Sequence, residues 1–167
     1  MQSHSENNER GRQYFLLRTD FYEFFNSVEG RMTIAQKIVS EMMTEDTFSQ
    51  WLGIELLEVR EGFSKICMTV REEMLNGHRM AHGGITFSLA DSAFAFASNS
   101  HGQKAVSIET SINHLKPVFE GDRLIATAEK ENTSKSLGHY IVRVHRKTEL
   151  VALFKGVVFR KQDEWKV

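Results

Sequence analysis

From Thr33 onward the apolar positions fall into regular periods. Ile34, Ile38, Met42 and Met43 recur at helical spacing, and so do Phe48, Trp51 and Leu52 after a Thr44 cap, with Gly53 ending the helical part. Residues 54–59 and 63–70 read as two strands joined by a tight turn at Glu61-Gly62. In the second, Ile66, Met68 and Val70 alternate with Lys65, Cys67 and Thr69. Residues 71–80 form a polar loop. Residues 83–100 then carry Ile85, Phe87, Leu89, Ala90, Ala93, Phe94, Ala95, Phe96 and Ala97. The pattern predicts a helix apolar on every side, and such a helix is normally buried on every side. At ~1.5 Å per residue it is ~25 Å long.

The remainder reads as four strands. Val106, Ile108 and Ile112 alternate with Ser107, Glu109, Ser111 and Asn113, and this strand ends at Lys116-Pro117, where proline stops the ladder. Residues 123–131 follow a turn at Glu120-Gly121-Asp122. Tyr140, Val142 and Val144 alternate with Ile141, Arg143 and His145, and residues 150–159 are almost continuously apolar, as in a central strand. Short turns between strands favour antiparallel pairing. One apolar helix and about six strands make an α+β fold in which an antiparallel sheet wraps the helix. A single wrapped layer leaves sheet edges and a helix flank uncovered, so a homodimer is expected.

Residues 1–11 are polar and without an apolar period, which predicts disorder. Tyr14, Phe15, Phe21, Tyr22, Phe24 and Phe25 then crowd a short stretch. Residues 1–31 are therefore read as an extension, an accessory helix or packing arm or else a piece upstream of a natural start at Met32. Residues 32–167 are read as the functional domain.

Composition narrows the classes. The single cysteine, Cys67, rules out an intramolecular disulfide framework and a cysteine-cluster zinc site. The net charge of −1 supplies no global basic field for nucleic acid. No run of ~18 apolar residues predicts a membrane span, and no basic-then-apolar leader opens the chain. These features point to a cytoplasmic protein.

Two features suggest chemistry. Asp91 lies in the middle of the apolar helix, where a lone carboxylate is costly unless it is paired or holds its proton. It is either a structural acid satisfied by a local hydrogen bond or a catalytic carboxylate in a desolvated site. His82-Gly83-Gly84 opens the same helix. Unpaired N–H groups and the positive dipole end gather there, and glycine admits a ligand oxygen close to the backbone. Such a turn is either an oxyanion site or an ordinary glycine turn. Gly83 and Asp91 are eight residues apart, about 12 Å along the axis. If they act on one substrate, Gly83 comes from one chain and Asp91 from another. His78 and His82 are four apart, but Gly77, Gly83 and Gly84 break the helix a metal pair would need, so no metal is expected. Cys67 inside a strand reads as inert.

Taken together, these residues resemble a known family. The segments Met74-Leu75-Asn76-Gly77-His78, His82-Gly83-Gly84 and Phe87-Ser88-Leu89-Ala90-Asp91-Ser92-Ala93-Phe94 are similar to the phenylacetate-degradation (PaaI-like) thioesterases of the hot-dog fold. The likeness continues through Leu115-Lys116-Pro117, Glu120-Gly121-Asp122 and Val151-Ala152-Leu153-Phe154-Lys155-Gly156, and spans about residues 32–160. It implies hydrolysis of an acyl-CoA thioester without a cofactor, with phenylacetyl-CoA or its ring-hydroxylated relatives as substrate. It also implies Asp91 as nucleophile or general base and the Gly83 N–H as the donor that polarises the carbonyl. Asn76 would help hold the carbonyl or the water, and His82 would order the loop. Ser107 would lie near the acyl group, and Lys135 and Ser136 would meet the CoA phosphates. The expected assembly is a homodimer with the site at the subunit interface, paired into a homotetramer. A general aryl or medium-chain acyl-CoA thioesterase, a non-catalytic acyl-CoA-binding protein and a hydratase on the same fold are the competing readings.

Overall fold

The computed structural model describes residues 32–167. The aromatic-rich stretch and the polar start, residues 1–31, lie outside the described residues.

Helix α1, Ile34–Glu45, starts from a reciprocal cap: Thr33 Oγ1 accepts from the Gln36 N–H, and Gln36 Oε1 accepts from the Thr33 N–H. Its buried face is Ala35, Ile38 and Val39, whereas Ile34 at the first position is exposed. Helix α2, Thr47–Leu52, is capped by Asp46 rather than by Thr44. Asp46 Oδ1 accepts from the N–H groups of Phe48 and Ser49, at 3.1 and 2.9 Å, while the Thr44 hydroxyl donates back to the Ser40 carbonyl. Gly53 closes α2 at φ 72°, a left-handed position that suits glycine.

Strands β1, Glu55–Arg60, and β2, Phe63–Thr69, flank the Glu61-Gly62 turn. The loop that follows holds a 3₁₀ turn at Glu72–Met74. Helix α3 is Gly83–Asn99. Strands β3, Gln103–His114, β4, Arg123–Thr133, β5, Leu137–Arg146, and β6, Glu149–Glu164, complete one antiparallel sheet in the order β1-β2-β4-β5-β6-β3. The apolar run 150–159 is second from the edge, because β3 pairs outside it. Among the described residues no helix is long and apolar enough to cross a membrane.

The sheet packs on α3 as the parts implied. Phe94 meets the rings of Tyr140 and Phe154 at 5.5 and 5.6 Å, and Phe87 meets Phe154 at 5.5 Å. Gly156 on β6 lets this happen: a methyl there would stand 2.7 Å from the Phe94 ring. α3 is not buried all round, however. Gly84, Ser88, Asp91 and Ala95 recur every three or four residues along a stripe that stays partly open, because nothing else among the described residues covers it.

Candidate functional site

Loop 75–82 carries the first site residues. Leu75 and Ala81 form an isolated bridge, and Asn76 exchanges backbone bonds with Met80 and Arg79. Asn76 Oδ1 accepts from the His78 N–H at 2.8 Å and more weakly from that of Met80 at 3.4 Å. The side chain therefore shapes the loop through its oxygen, and its NH₂ keeps no acceptor among the described residues. The His82 N–H donates to the Met74 carbonyl, which delivers the loop to the start of α3.

His82 is the N-cap of α3, and its Nδ1 accepts from the Gly84 N–H at 3.0 Å. That bond needs a lone pair on Nδ1, so His82 caps the helix with the deprotonated nitrogen. It also consumes the Gly84 donor. The Gly83 N–H has no acceptor among the described residues and lies at the positive end of the helix. A methyl at Gly83 would stand 3.2 Å from His114 Nε2, so the imidazole at the end of β3 rests on the glycine. Gly83, Thr86, His114, Lys116 and Pro117 share a cavity of about 290 Å³.

Asp91 lies two turns further on, half-buried on the open stripe of α3. No donor among the described residues binds its carboxylate. Burial, and after it the negative charge of Asp46, raise its pKa above the ordinary aspartate value. Asp46 Oδ2 accepts from the Ser49 hydroxyl at 2.6 Å, and Ser49 Oγ lies 2.9 Å from Ser92 Oγ. The buried hydroxyl pair ties α2 to α3 at the residue next to Asp91.

The structure brings Asn76, His82 and Gly83 together and leaves Ser107, Lys135 and Ser136 elsewhere in the chain. Ser107 is exposed on β3, opposite Val158, beside a bulge where the register skips Ile108. It lies seven residues from His114, about 23 Å along an extended strand, so it is remote from Gly83 of its own chain. Lys135 and Ser136 are exposed in the β4–β5 turn, where Arg160 Nη1 donates to the Ser134 carbonyl and the Arg160 N–H to that of Ser136. Cys67 is buried, its thiol pKa pushed up mainly by burial.

Sequence reasoning missed His114, Asp46 and the Ser49–Ser92 pair. For Asp46 a local signal existed, a cap-forming residue two positions before Phe48. For His114 none did, because its contact with Gly83 depends on how the edge strand lies.

Comparison with known proteins places these features in context. A model of the thioesterase superfamily matches residues 78–153. An Escherichia coli K12 protein, acyl-coenzyme A thioesterase PaaI, is 45% identical over 116 residues, covering 69% of this chain and 83% of that protein. The solved structure of the E. coli PaaI protein from the phenylacetic acid degradation operon superposes with a TM-score of 0.77 at 40% identity, over 78% of this chain and 96% of that one. The structure of smu.793 from Streptococcus mutans, bound to acetyl CoA, matches with a TM-score of 0.65 at 26% identity, over 67% of this chain and 91% of that one.

Proposed function

The chain belongs to the thioesterase superfamily, as a PaaI-like thioester hydrolase acting on acyl-CoA, and from that premise we propose that its substrates are phenylacetyl-CoA and ring-hydroxylated relatives. The observation that carries the catalytic reading is Asp91: a half-buried carboxylate without a partner among the described residues, on the helix whose first N–H is also unclaimed.

In this reading the thioester carbonyl oxygen accepts from the Gly83 N–H at the N-terminus of α3, where negative charge develops on it. Asp91, contributed by the other subunit, either takes a proton from water that adds to the carbonyl carbon or adds to that carbon itself. The tetrahedral centre collapses, the C–S bond breaks and CoA leaves as thiolate. When water adds, the acyl group ends directly as the free acid; when Asp91 adds, the acyl group is left as a mixed anhydride on Asp91 that water then hydrolyses to the free acid and the restored carboxylate. Asn76 offers its unclaimed NH₂ to the carbonyl or the water, and His82 keeps the loop in register. Ser107, remote from Gly83 of its own chain, lies beside the acyl group from the subunit that contributes Asp91, and Lys135 with Ser136 meets the CoA phosphates.

The active unit is a homodimer, assembled as a dimer of dimers. Support comes from the exposed apolar edge of β3, where Ile108 is 58% and Val106 41% accessible, and from the open stripe of α3. Residues 32–167 are the catalytic domain.

A panel of aryl and alkyl acyl-CoAs with free-thiol detection tests the reading, with light scattering for the assembly. Hydrolysis favouring aryl substrates is expected. Wild-type turnover by Asp91→Ala would overturn it.

A further inference from the structure

Helix α2 presents two of its largest side chains outward. Phe48 is 52% and Trp51 40% accessible, although Leu52 beside them is fully buried. Their rings stack, with centroids 5.9 Å apart and an interplanar angle of 17°. The pair is held rigidly. Asp46 caps the helix, and the Ser49–Ser92 hydroxyl pair pins it to α3. Arg71 secures the far end, donating from Nη1 to the Leu52 carbonyl at 3.0 Å and from Nη2 to the Trp51 carbonyl at 2.7 Å. Its guanidinium carbon lies 5.3 Å from the Trp51 ring centroid. A short helix fixed this firmly, with its aromatic face still open, is arranged to receive something apolar.

The rings border a cavity of about 410 Å³, inside the ~300–1,000 Å³ range of small-molecule sites. Gly84, Ile85 and Ser88 of α3 form the facing wall, with Met74 and Leu75 alongside. Ser88, which lines the cavity, is one turn before Asp91 on the same open stripe of α3. Much of its polar lining is already engaged. The Ser88 hydroxyl donates to the Gly84 carbonyl at 2.7 Å, His82 Nδ1 accepts from the Gly84 N–H, and Glu73 pairs with Arg71 at 2.7 Å. The cavity thus offers surface and ring faces more than hydrogen bonds.

We propose that α2 is the selectivity element of this thioesterase: Phe48 and Trp51 form the wall that receives the acyl group of the thioester, and their stacked rings select an aromatic one. The inference rests on the reading of Asp91 as the reacting carboxylate. Both residues are specificity-determining and take no part in bond breaking.

The test uses the full chain and compares kcat/KM for phenylacetyl-CoA and hexanoyl-CoA in wild type, Trp51→Ala, Trp51→Phe and Phe48→Leu, with inhibition by free CoA as control. Trp51→Ala is expected to lower the aryl-to-alkyl ratio at least tenfold, Phe48→Leu to lower it less, and Trp51→Phe to restore most of it, with CoA inhibition unchanged within twofold. The conservative variants keep the test open should Trp51→Ala fold poorly. A ratio unchanged within twofold in Trp51→Ala, or in Phe48→Leu where Trp51→Ala does not fold, overturns the proposal. So does an equal loss on both substrates that accompanies dissociation of the oligomer, which would make a second copy of the chain the occupant. Asp91→Asn run in parallel separates the two readings: full turnover by that variant defeats the assignment of Asp91, whereas an unchanged ratio with Asp91→Asn inactive defeats only the role of α2.

Discussion

Asp46, the cap of α2, lies close enough to Asp91 on α3 for its negative charge to raise that residue's affinity for a proton. In the proposed mechanism Asp91 acts only when ionised, so activity is expected to fall on the acid side as it protonates. Replacing Asp46 by Asn removes the charge and keeps a competent cap. The pKa of Asp91 then drops, and the acid limb of the pH–kcat/KM profile moves to lower pH. Thermal stability at pH 7 should change little. Asp46→Ala should move the limb the same way and also cost ~1 kcal/mol through the lost cap. A limb that stays in place in both variants would remove Asp46 from the electrostatics of the site.

Asp91 is expected to burden the fold that carries it. Its folded pKa is raised, so the native state binds the proton more tightly than the unfolded chain. Stability therefore declines as pH rises from the unfolded value, near 3.8, through the folded one, and the deficit persists above. Asp91→Asn should abolish most turnover, by ~10²–10⁴-fold, while raising Tm at pH 7 by a few degrees. The gain should vanish below pH 3.8, where Asp91 is protonated in both states. A scan of Tm against pH for both proteins reads this directly.

Gly83 admits an unusually clean deletion. It is the first residue of α3, where proline is tolerated, and His82 before it has φ −59° and ψ 137°, which a following proline permits. Gly83→Pro removes the N–H, and a Cβ at this position would meet only the exposed His114 side chain. A folded protein with kcat lower by ~10²–10³-fold is expected, the usual cost of one oxyanion donor. Circular dichroism and steady-state kinetics together check it.

Much of this site was legible because Asp91 contradicts its surroundings: a carboxylate among alanines and phenylalanines draws attention in any sequence. The alternation of Tyr140, Val142 and Val144 likewise marked β5, whose pleat buries all three. The helical spacing of Phe48, Trp51 and Leu52 marked α2, which the structure forms over Thr47–Leu52. Spacing tells which side chains share a face, not whether anything covers it, and only Leu52 is covered. The Thr44 cap failed on competition between two cap formers two residues apart, which Asp46 wins by reaching two N–H groups at once. The contact of His114 with Gly83 joins residues 31 apart through the edge position of β3, which no local pattern encodes.

The separation of Gly83 from Asp91 leads to a mixing experiment. Asp91→Asn and Gly83→Pro subunits, each nearly inactive alone, are co-refolded. If each site takes Gly83 from one chain and Asp91 from the other, every mixed dimer holds one intact site and one doubly defective site. Random pairing makes half the dimers mixed, so about a quarter of wild-type activity should return. A site drawn from a single chain would return none.

In its nearest contacts Gly156 meets the Phe94 ring of α3 and no side chain of α2. Because a missing methyl sets how closely β6 approaches Phe94, the depth at which α3 sits is decided on the sheet side of the molecule, away from α2. The proposed reacting groups on α3 are registered to the sheet, while Phe48 and Trp51 are carried by a six-residue helix fastened at its two ends and by one hydroxyl pair. If Phe48 and Trp51 receive the acyl group as proposed, acyl preference can drift, or be engineered, by rewriting them while the chemistry stays in place. The same division makes Gly156 a poor target for change and α2 a good one.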